Sequence, residues 1–508
     1  MLASERVLSP QQVLLFFIVL SLAYVFPIVH ADYAYVDDNW RALLQAQGEW
    51  GEQGRILLEW LYWALSFSKA TINIFPLPLL ISVFALAWAM ARLTFWLFPN
   101  PGITRCLVIF PVLGNPFFLG NLSYQYDGPG MVLALVAVIC AVTCRVEQRL
   151  LRLLISAVLI AVTLSLYQLT ISLFIGLCVV EYVQGVKDRT PVDALMYRVA
   201  ERVGQLLVGG IFYFLTAYQL TFNARGKLLA IDQQWLGVVY QKFCFSLEMI
   251  DLLVASIGNM VAITVLVLAS AGFMVVMKNI LHLQGSTPGK AAVALLYLLS
   301  GVVLIGSVPG IMLFLAEPNL DARNFIGFSA VLMVLFFFIE DVLGRVSPKW
   351  RVLLVVPTVF MFMLSYAYGQ VLIAKKELES AMAGYIAQDI VGKTELMDVQ
   401  RFYYVGPRTA GNWLPRGHGA MAHLPVLRYL LSTSNTVLHP HFFPRLGINN
   451  VVEGRRDDFE KRLEAGEVGT PVVNSKFYAI YLSAEAAFIV MKEISDPENY
   501  NDNWLVTP

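Results

Sequence analysis

The chain has 508 residues, of which 58% are hydrophobic and 14% are charged, and its mean hydropathy is +0.65. Soluble globular proteins carry about 25% charged residues, so this composition excludes an ordinary soluble enzyme of the same length. Lys and Arg balance Asp and Glu at 36 each, which excludes the strong positive charge typical of nucleic-acid-binding proteins.

Apolar runs long enough to cross a bilayer recur from residue 11 to about residue 371. The first run, Val13 to Ala31, lacks a small-residue cleavage pattern and is predicted to be a retained signal anchor. Tyr167-Gln168 is predicted to be the tip of a hairpin that divides the long apolar stretch 150–185. The pattern predicts about eleven transmembrane helices, at 11–31, 76–98, 105–122, 129–144, 150–166, 168–185, 203–222, 256–278, 292–315, 324–343 and 351–371.

The charges of the short loops predict the orientation of these helices. With a cytoplasmic N-terminus, Lys and Arg concentrate in the loops on the cytoplasmic side, as the positive-inside rule requires. An odd number of helices then places the chain after residue 371 outside the cytoplasm. We expect a transmembrane domain over 1–371 and a small external α/β domain over 372–508.

The external domain has a composition of its own. A charged, helix-like stretch from Ala374 to Leu396 continues the last membrane helix. Arg401 to Gly406 is predicted to be a strand and turn, and Pro471 to Val490 a strand followed by a short helix. His439 and His441 lie close together in this domain, but without a recognised metal spacing we interpret them as structural or surface residues. We expect no metal site.

The first external loop, residues 32–75, holds two notable features. Tyr35 to Arg41 contains two adjacent carboxylates, Asp37 and Asp38, where a membrane helix should emerge into water. Ile56 to Phe67 is apolar and aromatic but too short to cross, so it is predicted to be a helix lying on the membrane surface.

Charged residues at a membrane edge are costly and are therefore functional candidates. Three external loops carry such residues, which predicts a shared cavity at that face, whereas Glu147 and Glu340 at the cytoplasmic edge are predicted to be solvated. The candidates are Asp37, Asp38 and Arg41 in the first loop, Asp127 in the second, and Asp321 and Arg323 in the last.

This arrangement fits glycosyl transfer from a lipid-phosphate sugar. Arginines near the bilayer surface would hold the anionic leaving group, and a carboxylate would take the proton of the acceptor hydroxyl. The chain has no Walker-type phosphate loop, and a donor already activated by its phosphodiester would not need one. Helix capping is the alternative for Asp37, Asp38 and Asp127, and snorkelling to the interface is the alternative for Arg323.

Several stretches together resemble the bacterial Gtr-type serotype-converting O-antigen glucosyltransferases. They cover most of residues 12–370 and include Tyr35-Val36-Asp37-Asp38, Gly54-Arg55, Phe75-Pro76-Leu77-Pro78-Leu79, Tyr167-Gln168, Ala322-Arg323 and, most specifically, Asn115 to Asp127.

The resemblance implies a GT-C-type fold in the bacterial inner membrane, with the active site on the periplasmic face. It implies an inverting enzyme that takes a sugar, glucose or a similar residue, from undecaprenyl phosphate to O-antigen repeats of lipopolysaccharide. A small flippase and a cytoplasmic synthase are expected partners, and no cofactor or nucleic acid is expected. An essential acidic residue belongs in the first external loop, where Asp38 and Asp37 stand.

The sequence therefore predicts a polyprenyl-phosphate-dependent glycosyltransferase. A transporter of lipid-linked sugar or polysaccharide is the rival from another class, although repeated halves and midplane charges are not evident. Another GT-C transferase, of the aminoarabinose or protein-mannosyl type, is the nearer rival. The candidate roles are Asp38 or Asp37 as general base; Arg41, Arg55 and Arg323 for the donor phosphate; and Asp127, Tyr126 and Tyr124 for sugar hydroxyls.

Overall fold

The computed structural model describes residues 7–44, 49–221, 226–407, 414–431, 438–484 and 486–493. These residues divide into two compact units. The first, the helical unit, falls within Met1–His30, Arg41–Tyr366 and Leu424–Leu430. The second, the sheet unit, falls within Ala31–Trp40, Ala367–His423 and Leu431–Pro508, so that the segment carrying Asp37 and Asp38 groups with the C-terminal part of the chain.

Helices make up most of the described chain. In order they are α1 (Pro10–Ala31), α2 (Asp38–Arg41), α3 (Ile56–Ser66), α4 (Leu77–Leu97), α5 (Ile103–Ile109), α6 (Pro111–Gly114), α7 (Leu119–Leu122), α8 (Gly128–Val142), α9 (Arg149–Leu166), α10 (Ile171–Lys187), α11 (Val192–Leu215), α12 (Trp235–Ile257), α13 (Asn259–Asn279), α14 (Thr287–Ser307), α15 (Phe328–Val346), α16 (Val355–Gly392), α17 (Thr394–Met397), α18 (His418–His423), α19 (Val426–Leu430) and α20 (Arg456–Glu464).

Within the described residues, eight helices are long and apolar enough to cross a membrane, and this character is that of a membrane protein. A ninth span results if the bent pair Ile103–Gly114 and Pro116–Leu122 counts as one. The predicted total of about eleven is larger for three reasons. The predicted span 105–122 is broken at Pro111 and Pro116, α8 has only 15 residues, and α15 carries several charges near its end.

Of the other predicted helices and loops, two are confirmed and one is wrong. The helix at Ile56–Ser66 and the break at Tyr167 are confirmed. Between the predicted spans 203–222 and 256–278 the sequence also predicts an external loop, at about 223–250. That prediction is wrong for most of its length, because Trp235–Ile257 forms helix α12; residues 223–225 lie outside the described part.

The two glutamates that were predicted to lie at the cytoplasmic edge differ from each other. Glu147 is exposed as predicted, whereas the prediction of a solvated Glu340 is wrong. Glu340 is 1% exposed and pairs with two guanidinium groups, those of Arg105 at 3.4 Å and Arg351 at 3.0 Å. Its position on the buried face of α15 explains the difference, since a buried carboxylate needs such partners.

Tight helix packing forms the core of the helical unit. Helix α8 packs between α4 and α9, and α11 packs along α9. At the α9–α11 crossing, a Cβ added to Gly209 would lie 2.6 Å from Ile160, so only glycine permits this approach. This packing fixes the loop that precedes α8, which carries Asp127.

The sheet unit contains a five-stranded sheet of order β2-β1-β5-β4-β3. The strands are β1 (Phe402–Val405), β2 (Val451–Glu453), β3 (Val473–Asn474), β4 (Tyr478–Leu482) and β5 (Ala487–Met491). β1 runs parallel to β2 and β5, whereas β3, β4 and β5 are antiparallel. The predicted strand at 401–406 is confirmed. The short helix predicted before Val490 is wrong, because β4 and β5 form a hairpin there.

Side chains alternate between the two faces of the sheet, and each face packs in a separate apolar cluster. Phe402, Tyr404 and Ile489 pack in one apolar cluster with Met382 and Ile386 of α16. On the other face Val405, Phe488 and Val490 pack with Phe459 of α20. The predicted continuation of the last membrane helix into a charged helix is confirmed, and that continuation is what covers the sheet.

Candidate functional site

Asp127 is the centre of a buried charge cluster in the helical unit. Its Oδ1 lies 3.0 Å from Arg55 Nη1 and accepts a hydrogen bond of 3.0 Å from the Trp50 indole N–H. Its Oδ2 lies 3.0 Å from Arg41 Nε. Arg41 and Asp127 are only 1% and 2% exposed, so each side chain depends on its partners to offset the loss of water.

A tight turn before α3 brings Trp50 and Arg55 to this carboxylate. The backbone N–H of Arg55 donates to the Trp50 carbonyl at 2.9 Å, which closes the turn. Gly54 has a φ of 75°, a left-handed conformation that glycine adopts without strain. The Gly54-Arg55 pair of the sequence therefore sets where the guanidinium points.

Aromatic rings pack against the ion pairs of Asp127. The Arg41 guanidinium lies 4.4 Å from the centre of the Trp50 ring, and that ring stacks on Tyr62 at 5.1 Å. Tyr126 packs against Tyr62 at 5.7 Å, and its hydroxyl donates to the carbonyl of Thr71 at 3.4 Å. These contacts fix the rings that surround the ion pairs.

The pKa of Asp127 is lowered from its ordinary value. Burial by itself would raise it, but the positive charges of Arg41 and Arg55, the indole hydrogen bond of Trp50 and the charge of Arg323 outweigh that cost. Asp127 is therefore ionised and engaged with cations. A carboxylate in that state is a poor proton acceptor and a good anchor for arginines.

Arg323 forms the outer part of the same cluster. Its guanidinium donates to the Tyr124 hydroxyl and lies 5.2 Å from the centre of that ring. Asp321 lies 3.8 Å away, at a distance that gives only a weak ion pair. Tyr167 joins the two sides, because its hydroxyl donates to Asn324 and the Arg55 guanidinium lies 4.8 Å from its ring centre.

Asp37 and Asp38 lie in the sheet unit and have different surroundings. Asp38 is 1% exposed, and its Oδ2 accepts the backbone N–H of Tyr35 at 2.8 Å. This bond to an earlier residue stabilises the turn that precedes α2. Asp37 is half-buried and accepts the Trp40 indole N–H at 3.3 Å.

The turn that holds these carboxylates is strained. Val36 has a φ of 45°, which is rare for a β-branched residue and costs about 1–3 kcal/mol. Such strain persists only where the surroundings impose it, and it is concentrated at functional sites.

His439 and His441 lie near Asp37 in the sheet unit, with ring centres 4.4 Å apart. Burial lowers the pKa of both imidazoles; the other imidazole lowers that of His439 further, while Glu453 and Asp37 raise both. Within the described residues, no group of three or more His, Cys, Asp or Glu is arranged to hold a metal ion.

The structure thus brings together Asp127, Arg41, Arg55, Arg323 and Tyr124 in one unit and holds Asp37 and Asp38 in the other. Tyr124 and Tyr126 are both buried among protein groups. The sequence interpretation missed Trp50, because several other aromatic residues lie near the Gly54-Arg55 pair and nothing distinguished this one. It also did not predict that Asp127 forms ion pairs with Arg41 and Arg55.

Comparison with known proteins adds a family and one relative. The model of the glucosyl transferase GtrII family matches residues 26–339. The chain is 28% identical over 202 residues to a protein of Salmonella phage P22 described as an uncharacterized 55.3 kDa protein in the gtrB 5′ region. That alignment covers 40% of this chain and 41% of the relative, so the chain spans less than half the length of the curated relative. No solved structure matches the chain.

Proposed function

Because the chain belongs to the GtrII glucosyl transferase family, we propose that it moves a glucosyl residue from undecaprenyl phosphate to O-antigen repeats. The reaction takes place at the periplasmic face of the inner membrane, with the N-terminus in the cytoplasm. The matched residues include every charged group of the cluster around Asp127 as well as Asp37 and Asp38.

The observation that carries this proposal is the excess of positive charge around Asp127. Three guanidinium groups, of Arg41, Arg55 and Arg323, lie around the buried carboxylate of Asp127, and Asp321 adds only a weak pair with Arg323 at 3.8 Å. The anionic phosphodiester of a polyprenyl-phosphate sugar would be attracted to these guanidinium groups. Arg55 and Arg323 are 21% and 23% exposed, so they are the arginines within reach of a ligand, whereas the buried Arg41 holds Asp127.

Arg55 also has a hydrogen-bond donor that is not used within the cluster. Its Nε is buried and has no hydrogen-bond acceptor among the described residues. Buried guanidinium N–H groups are nearly always bonded, and a phosphate oxygen is the acceptor that this geometry suits.

The chemistry then needs one base. The acceptor hydroxyl oxygen attacks the anomeric carbon of the glucosyl group, its proton passes to a carboxylate, and the bond from the anomeric carbon to the phosphate oxygen breaks. The phosphate leaves as an anion held by arginine, and the anomeric configuration inverts. Asp37 and Asp38 are the candidates for the base, and the half-buried Asp37 is the more accessible of the two.

Reconstitution tests the proposal. Full-length protein in liposomes, supplied with undecaprenyl-phosphate glucose and purified lipopolysaccharide, should form glucosylated O-antigen without any energy source. Arg55→Gln and Arg323→Gln should raise the KM for the donor, whereas Arg198→Gln, an exposed arginine on α11, serves as the matched control. Movement of the donor between leaflets with no glycosidic product would identify a transporter instead.

A further inference from the structure

A second polar cluster lies beside Arg55 in the helical unit, and none of its members has a role in the reaction described so far. Gln168 stands in the break between α9 and α10, Tyr213 in the last turn of α11, and Thr221 shortly after α11. All three are half-buried.

Gln168 is held in one orientation. Its Nε2 donates to the carbonyl of Gln53 at 2.9 Å and to the Tyr213 hydroxyl at 3.1 Å. With both amide hydrogens used, Gln168 keeps its carbonyl oxygen as an acceptor, and Tyr213 keeps its hydroxyl proton as a donor.

One further group at this place has no partner among the described residues. It is the hydroxyl of Thr221, whose oxygen is buried. Buried polar atoms are satisfied in the large majority of cases, so this hydroxyl next to a polar cluster calls for a ligand group that bonds to it.

The polar atoms converge on a single point. A Cβ at Gly54 would lie 2.5 Å from the Tyr213 hydroxyl oxygen, 3.0 Å from Thr221 Oγ1 and 3.2 Å from Gln168 Nε2. The break between α9 and α10 and the end of α11, both distant in sequence from Gly54, therefore place polar groups around this glycine.

The chemistry of these groups selects the ligand. Two hydroxyls and a carboxamide oxygen offer both donors and acceptors, and they carry no charge. A sugar hydroxyl donates and accepts at once and matches such a mixed set, whereas a phosphate oxygen only accepts. Arg55 also pairs with Asp127, so the phosphate and the sugar of one donor molecule, which share a single bond, would meet adjoining groups.

We propose that Gln168, Tyr213 and Thr221 form the subsite that binds hydroxyls of the donor's glucosyl group. This inference rests on the proposed function. It makes these three residues determinants of which sugar is transferred, while the arginines bind what all polyprenyl-phosphate donors share.

The test compares Tyr213→Phe and Thr221→Val, each of which removes one polar group with little change of shape, with Tyr218→Phe as the control. Tyr218 is a neighbouring exposed tyrosine whose ring centre lies 6.2 Å from that of Tyr213. The protein is the full chain in liposomes, and the probes are labelled polyprenyl-phosphate glucose and the same polyprenyl phosphate without sugar as a competitor. Thermal stability of each variant confirms that it folds.

We expect kcat/KM for the glucose donor to fall about 10-fold in Tyr213→Phe and Thr221→Val, as for the loss of one hydroxyl-recognising bond. Inhibition by the sugar-free polyprenyl phosphate should stay unchanged. Wild-type kinetics in both variants, or an equal weakening of the sugar-free competitor, would overturn the subsite. If the wild type transfers no glucose, the proposed function fails, and binding of the labelled donor to wild type and Tyr213→Phe still decides the subsite.

Discussion

Arg41 Nε and Asp127 Oδ2 lie 3.0 Å apart in the interior of the helical unit, and both side chains are almost completely shielded from solvent. The pair joins the last residue of the short helix α2 to the residue that precedes α8, which are 86 positions apart in sequence. It ties the first long loop to the core of the helical unit, so its loss should affect folding as well as activity.

Asp127→Asn is expected to destabilise the protein by about 3–5 kcal/mol, because it leaves the buried Arg41 without its compensating charge. Denaturant titration of the detergent-solubilised protein measures this loss. Asp321→Asn is the matched control, since Asp321 is 22% exposed and lies 3.8 Å from Arg323, and its loss should cost under about 1 kcal/mol. Equal stability of the two variants would mean that the ion pairs of Asp127 do not hold this loop.

Substitution of Asp37 and substitution of Asp38 should affect activity and stability differently. Asp37→Asn is expected to lower kcat by about 100-fold or more without loss of stability, as for removal of a general base. Asp38→Asn weakens the bond to the Tyr35 N–H and is expected to cost about 1 kcal/mol of stability. Transfer rates and thermal midpoints of both variants are the measurements.

Asp32→Asn provides the control for this pair, because Asp32 is an exposed carboxylate of the same segment, 3.3 Å from Lys376. It should leave transfer unchanged. Loss of activity without loss of stability in Asp38→Asn, with an active Asp37→Asn, would assign the base to Asp38. Full activity in both single variants would remove the pair from the mechanism.

The histidine pair should give the sheet unit a pH-dependent stability. Since burial lowers the pKa of His439 and His441 in the folded state, the unfolded chain binds protons more readily. Their contribution is therefore complete above about pH 6.5 and is lost as the pH falls below that value towards the lower folded pKa. The double variant His439→Gln/His441→Gln should flatten the change of thermal midpoint between pH 7 and 5.

His423→Gln is the control for that series, because His423 is an exposed histidine of the same unit. Its midpoint should follow the wild-type pH dependence. A double variant that keeps the full wild-type dependence would show that other groups cause it.

Hydrophobic run length predicted the helices well where composition alone decides them. Residues 150–185 separate at Tyr167 as predicted, and α4 lies within one residue of its predicted ends. The prediction failed where packing inside the protein replaces packing against lipid. Helix α12 was missed because Lys242, Glu248 and Asp251 interrupt its apolar residues, and Glu340 was misjudged because its arginine partners lie far away in sequence.

The candidate site shows the same limit. The cost of placing charge at a membrane edge was enough to select Asp127, Arg41 and Arg323 together with Asp37, Asp38 and Asp321, whereas Arg55 was selected through the family resemblance of Gly54-Arg55. That cost was not enough to tell which charges neutralise each other and which remain for a ligand. That distinction depends on burial, and the burial of Arg41 compared with Arg55 arises only from the packing of Trp50 and its neighbours.

Gly54 offers a test that needs no change to any polar side chain. Gly54→Ala places a methyl group 2.5 Å from the Tyr213 hydroxyl oxygen, and an alanine at a φ of 75° costs about 1 kcal/mol or more in backbone strain. Both effects shift Arg55, so we expect a rise of about 10-fold or more in the KM for the donor. Gly237→Ala is the matched control, because Gly237 lies in α12 with open space where its Cβ would be, and alanine there should stabilise the helix slightly. The measurements are the donor KM and the thermal midpoint of the two alanine variants. An unchanged donor KM in a folded Gly54→Ala protein would show that this turn does not face the donor.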